Sequence, residues 1–261
     1  MNNSIGFIGF GNMAMAMAEA LIKHGDFDPK KIYAYAPNKE KLKINCSKYN
    51  VNPSESIGDL LKNCETVVVA CKPYQVEKVL QEAGTVLTGK SIVSVAYGWK
   101  FDDYVKVLPE GAKVQCILPN TPMAVGEGVI IAEEKNNLDE NYRKDLFSLF
   151  EKTGKVIVMP SNLIEAAAAI SGCGPAFIDM VIEAMGDGGV KNGIPRDKVY
   201  DLVCQTMIGA AKLQMDTGIH PGKLKDRVCS PGGTTIKGVA KLEKEGIRYA
   251  FISAIDACLK N

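Results

Sequence analysis

A chain of 261 residues with 46% apolar and 23% charged side chains is long enough to bury one large core or two ordinary ones. Its formal net charge of +1, without a basic cluster, excludes recruitment of nucleic acid or an acidic membrane surface by a long-range field. The apolar runs fall short of a membrane span, and the first strand follows Met1-Asn2-Asn3-Ser4 so closely that no signal peptide is expected.

The first half alternates strand-like and helix-like segments. Ile5–Ile8 reads as a strand running into Gly9-Phe10-Gly11-Asn12-Met13-Ala14, a G-x-G-x-x-A turn that opens a helix over Ala14–Lys23. Gly9 and Gly11 lack Cβ, so the chain can turn tightly and a pyrophosphate can approach its backbone. The free N–H groups and positive dipole end of the helix make an anion site there. A strand over Lys31–Ala36 precedes helices over Asn38–Lys48 and Ser56–Asn63, and the β-branched run Thr66–Cys71 reads as a buried strand. Helix Tyr74–Ala83, strand Ser91–Ala96, helix Phe101–Leu108 and strand Lys113–Leu118 follow. Strands Val129–Ala132 and Lys155–Pro160 then flank a helix over Asp139–Thr153. Such alternation predicts an α/β fold, a doubly wound, mostly parallel sheet with ligands beyond the carboxyl ends of its strands.

After Pro160 the pattern is helical. Asn162 and Glu165 fit a cap and its capping-box partner for Leu163–Ile170, and Ser171-Gly172-Cys173-Gly174-Pro175 is expected to interrupt or kink that helix. Ala176–Gly189, Arg196–Gly218, Lys237–Glu245 and Arg248–Lys260 read as further helices. The expected division is a dinucleotide-binding domain over 1–160 and an all-α domain over 161–261. The small, apolar helical module serves either as a domain core or as a subunit interface.

Four stretches could carry chemistry. At the end of the second strand, Tyr33-Ala34-Tyr35-Ala36-Pro37-Asn38-Lys39 offers no acid for a ribose 2′-hydroxyl, which favours NADP over NAD. Asn38 with Lys39 could hold a 2′-phosphate; alternatively Lys39 and Lys41 are a solvated helix face. Lys72, in Ala70-Cys71-Lys72-Pro73, is either a phosphate or ribose contact or simply a charge where a strand ends. Asn120, between Pro119 and Thr121-Pro122, either meets the nicotinamide end or is ordinary turn chemistry. Ser230-Pro231-Gly232-Gly233-Thr234-Thr235-Ile236, before a helix, makes a second anion cradle suited to a carboxylate. The eight cysteines include no C-x-x-C pair and the histidines are His24 and His220 alone, so no metal site is expected. His220 reads as a turn residue, and the cysteine usage is that of a reduced, cytoplasmic protein.

Gly6-Phe7-Ile8-Gly9-Phe10-Gly11-Asn12-Met13-Ala14, Ala70-Cys71-Lys72-Pro73, Pro119-Asn120-Thr121-Pro122, Ser171-Gly172-Cys173-Gly174-Pro175-Ala176-Phe177, His220-Pro221-Gly222-Lys223-Leu224-Lys225-Asp226 and Ser230–Thr235 follow one another in this order. This order resembles the pyrroline-5-carboxylate reductase family from residue 5 to about residue 258. The resemblance implies a Rossmann-type N-terminal sheet and a helical C-terminal domain that forms a homodimer, often within a decamer. It implies reduction of the cyclic imine 1-pyrroline-5-carboxylate to L-proline by NADP(H) or NAD(H), the last step of proline synthesis. By the same resemblance, Gly233, Thr234 and Thr235 bind the substrate, with Thr235 the catalytic residue near the ring nitrogen. Ile8, Gly9, Phe10, Gly11, Asn12, Met13, Ala36, Pro37, Asn38, Ala70, Cys71, Lys72 and Pro73 are expected at the cofactor, together with Asn120.

Three departures stand out. The arginine that the family carries near Cys116 is absent from Val114-Gln115-Cys116-Ile117-Leu118, and the adenosine-side Ser or Asn has only Ser54 and Ser56 nearby. The middle Ser of Ser-Gly-Ser-Gly-Pro is Cys173 here. A 6-phosphogluconate-type hydroxyacid dehydrogenase would need a lysine soon after Ser171–Pro175, and none comes before Lys191. A non-enzymatic cofactor-binding protein would not need the second cradle.

Overall fold

The computed structural model describes residues 4–259; Met1-Asn2-Asn3, and Lys260 at the end of the expected last helix, lie outside the described residues. Strands β1 (Ile5–Ile8), β2 (Ile32–Tyr35), β3 (Asn52–Pro53), β4 (Thr66–Val69), β5 (Ser91–Ser94), β6 (Lys113–Pro119), β7 (Gly128–Asn136) and β8 (Gly154–Met159) form one sheet. Their order is β3-β2-β1-β4-β5-β6-β7-β8, parallel throughout except where β6 meets β7. The chain winds outward from β1 through β2 to β3, then crosses back to β4, so the strand order reverses beside β1. That reversal opens a crevice at the carboxyl ends of β1 and β4.

Both faces of the sheet are covered, which is why its strands read as unbroken apolar runs. Ile5, Phe7 and Val68 enter one buried cluster, and Ile8, Val67 and Val69 enter the other. Helices α1 (Asn12–Lys23), α2 (Lys39–Tyr49), α3 (Ile57–Asn63), α4 (Val76–Ala83), α5 (Phe101–Val107) and α6 (Glu140–Glu151) supply the layers. Strand β3 was not expected: it is short and includes Pro53, which leaves no apolar run to read. Strand β7 continues beyond the expected Ala132 because the charge of Glu133 is satisfied inside the fold. Its carboxylate accepts the Phe101 N–H at 2.7 Å and the Ser161 hydroxyl at 2.5 Å, and the residue is 1% exposed.

Helix α7 (Ile164–Lys191) runs unbroken through the glycines and Pro175, correcting the expected interruption. A proline removes the N–H that would bond the carbonyl four residues earlier, here that of Ser171. That carbonyl accepts instead from the side-chain amide of Asn120 at 2.8 Å. The Glu165 carboxylate, expected as a capping-box partner, pairs with Lys100 at 2.9 Å. Because α7 is continuous, it is long and apolar enough by length and composition to cross a membrane, which the broken-run reading did not anticipate.

The chain divides into two compact units, one ending at Gly172 and the other starting at Cys173. The second contains the rest of α7, α8 (Arg196–Thr217), α9 (Pro221–Arg227), α10 (Thr234–Lys244) and α11 (Ile247–Leu259). Among its described residues only Gly186, Val199 and Val203 are buried. Met180, Met215, Ile252 and Tyr249 are all more than half exposed.

Asn120 is 6% exposed, and its carbonyl oxygen also accepts the Val129 N–H at 2.8 Å. Asn120→Ala should therefore cost about 1–3 kcal/mol for each backbone group it orphans. At matched protein concentration, urea denaturation should show a lower midpoint at unchanged slope.

Candidate functional site

The first loop owes its geometry to Gly9, whose φ is +95°. A Cβ there would lie 2.6 Å from the Ala70 carbonyl oxygen, so neither conformation nor space admits another residue. The Gly9 N–H donates to the Tyr35 carbonyl at 2.8 Å and the Ala70 N–H donates to the Ile8 carbonyl at 2.8 Å. The turn is thus locked to the strands on either side. Gly11 follows as the N-cap of α1 with no side chain bonded to the helix end, and a Cβ built on it meets nothing within 4 Å. The mouth of α1 is open, with unpaired N–H groups facing that space.

This mouth lies in a cleft of about 830 Å³. Of the residues expected at a cofactor, Ile8, Gly9, Gly11, Asn12 and Met13 line it from the first loop, and Pro37 from the end of β2. Ala70, Cys71, Lys72 and Pro73 line it from the end of β4. Four expected residues do not line it. Phe10 turns into the core, its ring centroid 5.9 Å from that of Phe7, and its carbonyl accepts from buried Asn45 at 3.1 Å. Ala36 packs against the same core. Asn38 caps α2 by accepting the Lys41 N–H at 2.9 Å, and Asn120 has its amide engaged as described above. In their place Tyr35, Val95, Ala96, Tyr97 and Thr121 face the cleft. The positions of Val95 to Tyr97 and Thr121, just past the carboxyl ends of β5 and β6, are the signal that could have found them.

Lys39 stands at the carboxyl end of β2. Its ammonium lies 4.5 Å from the centroid of the Tyr35 ring and donates to the carbonyls of Ser54, at 3.1 Å, and Glu55. The hydroxyl of Ser54 has no partner although the residue is 2% exposed. Burial pushes the Cys71 thiol up from its ordinary range, which keeps it protonated and a poor nucleophile near neutral pH.

In the second unit, α10 begins three residues before the expected Lys237, which moves Thr234 and Thr235 from the loop into the first helical turn. Gly232 takes φ +70°, the Gly233 N–H closes the turn onto the Ser230 carbonyl at 3.0 Å, and Gly233 is the N-cap. No side chain bonds this helix end either, so its N–H groups are free beside two exposed hydroxyls. His220 caps α9, its Nδ1 accepting the Gly222 N–H at 3.1 Å, as its reading as a turn residue implies.

Two family models match the chain. That described as pyrroline-5-carboxylate reductase dimerisation covers residues 161–261, and that described as NADP oxidoreductase, coenzyme F420-dependent, covers residues 4–98. The pyrroline-5-carboxylate reductase of Treponema pallidum is 37% identical, over 99% of both chains. That of Escherichia coli is 36% identical, over 100% of this chain and 97% of the relative. The crystal structure of the Plasmodium falciparum pyrroline carboxylate reductase with NADP bound superposes with a TM-score of 0.88 at 30% identity, over 98% of this chain and 95% of the other.

Proposed function

This chain belongs to the pyrroline-5-carboxylate reductase family, and from that premise we propose which of its residues carry the reaction. It is an NADP(H)-dependent oxidoreductase that reduces the cyclic imine 1-pyrroline-5-carboxylate to L-proline, the last step of proline synthesis. The reduced nicotinamide supplies the hydride when it is bound.

The cleft fits a dinucleotide phosphate. In our reading, residues 1–160 bind it and residues 161–261 bind substrate and partner. Gly9 to Met13 would receive the pyrophosphate on the open mouth of α1, where Gly11 leaves the approach clear. Lys39 would meet the 2′-phosphate, since no acid stands before Glu40 and the ammonium is already fixed at the end of β2. Pro37 and Ala70 to Pro73 would form the walls. Asn120 acts behind the site, by holding α7 and β7, rather than on the cofactor.

The observation that carries the substrate reading is the uncapped start of α10, with Gly233 as N-cap and Thr234 and Thr235 in the first turn. Its N–H groups would take the substrate carboxylate. The Thr235 hydroxyl would accept a hydrogen bond from the ring nitrogen while that nitrogen is still cationic. A protonated imine is already an electrophile, so orientation and electrostatics are the protein's main contributions.

The chain forms dimers or larger oligomers. We place the dimer contact on the C-terminal helices, because a unit with so few buried side chains needs another surface for its exposed methionines and isoleucines. On this reading the apolar length of α7 serves an interface and not a bilayer, dimers assemble into a decamer, and the enzyme is cytoplasmic.

The test follows NADPH absorbance with 1-pyrroline-5-carboxylate as substrate; turnover with a hydroxyacid but not with this imine would overturn the assignment. Thr235→Ala should lower kcat/KM for the imine about 10- to 100-fold, the range for one hydrogen bond to a charged group, with NADPH affinity intact. If NADPH binding collapses instead, the cradle is misassigned. Lys39→Glu should weaken NADPH about tenfold or more while NADH binding changes little, read by fluorescence titration.

A further inference from the structure

Trp99 is the single tryptophan of the chain and has no part in the reading above. It lies in the loop after β5, where Gly98 at φ +83° reverses the chain between two aromatic residues. Tyr97, before the reversal, lines the cleft. Trp99, after it, reaches across to a different loop. Its indole Nε1–H donates to the Pro73 carbonyl at 3.1 Å. Its ring lies 5.2 Å from that of Tyr104, which is fully buried and shares a hydrogen bond of 2.5 Å with Ser94. The indole therefore has a rigid backing against the core and points its polar edge at Pro73.

Pro73 belongs to the segment Cys71-Lys72-Pro73, which walls the cleft at the carboxyl end of β4. Within that segment the Lys72 N–H donates to the Gln75 side chain at 3.3 Å and the Gln75 N–H to the Lys72 carbonyl at 2.8 Å, both local to the turn. The indole bond comes from outside the turn and ties it to the β5 loop, whose own Tyr97 faces the same space. We propose that Trp99 is a positioning residue for the cofactor: through the Pro73 carbonyl it sets where the Lys72–Pro73 wall stands, and its environment changes when the cleft fills. The proposal rests on the assignment of the cleft to the dinucleotide.

Trp99→Phe removes the N–H and keeps a ring over Tyr104. For the intact enzyme, the dissociation constant and KM for NADPH should rise about fivefold, the factor for one uncharged hydrogen bond, while kcat and the imine KM stay within about twofold. In the wild-type enzyme, saturation with NADP⁺, which does not absorb tryptophan emission, should shift the emission of this single fluorophore. That second measurement does not depend on the variant folding. Unchanged NADPH constants in a folded Trp99→Phe, or tryptophan emission indifferent to NADP⁺, overturns the proposal. If calorimetry finds wild-type binding of NADPH abolished by Trp99→Phe together with kcat, Trp99 is a general structural support and the proposal also fails. Absence of NADPH binding to the wild-type enzyme removes the cofactor assignment itself, and this inference with it.

Discussion

The close approach of Gly9 to the Ala70 backbone is the constraint on which the site depends. Two parallel strands on opposite windings must end side by side, and the chain leaving one of them must turn at once into a helix. A residue with φ +95° and no Cβ lets β1 do so while its neighbours β2 and β4 clasp the turn through two backbone hydrogen bonds. The direction of α1, the open space at its mouth and the floor of the cleft all follow from that contact.

The same device recurs without a sheet. Helices α1 and α10 both start on a glycine N-cap that brings no side chain to the free N–H groups. Where the chain needs an end closed instead, it supplies a side chain: Asn38 closes α2, Ser56 closes α3 and His220 closes α9. On the reading proposed above, the two anion sites are helix starts whose cap is a glycine.

The glycine turn and the alternating runs were legible because each is a local pattern with a local cause. The turn before α10 was legible too, but not that Thr234 and Thr235 already belong to the helix. What was not legible depends on pairing across distance. Asn120 reads as a loop residue open to a ligand until Pro175, 55 positions later, is seen to orphan a carbonyl beside it. Glu133 reads as the end of a strand until Phe101 and Ser161 converge on its carboxylate. Lys39 could be assigned to a phosphate or to solvent from sequence, and the carbonyls that fix its ammonium belong to residues 15 and 16 positions away. Phe10 falls inside the diagnostic turn, yet its ring packs on Phe7 and its carbonyl is bonded to Asn45, so the residue serves the core and not the cleft.

The scarcity of buried side chains beyond Cys173 has a consequence for inheritance. On the reading proposed above, in which the C-terminal helices carry the dimer contact, a helical unit that completes its interior by association does not fail alone. In a cell carrying two versions of the chain, a version damaged in α8 or α11 yet still able to associate would be built into assemblies with sound copies. The loss would exceed the share of damaged chains. Damage confined to the glycine turn would leave each partner's own cleft untouched and be masked by the intact version.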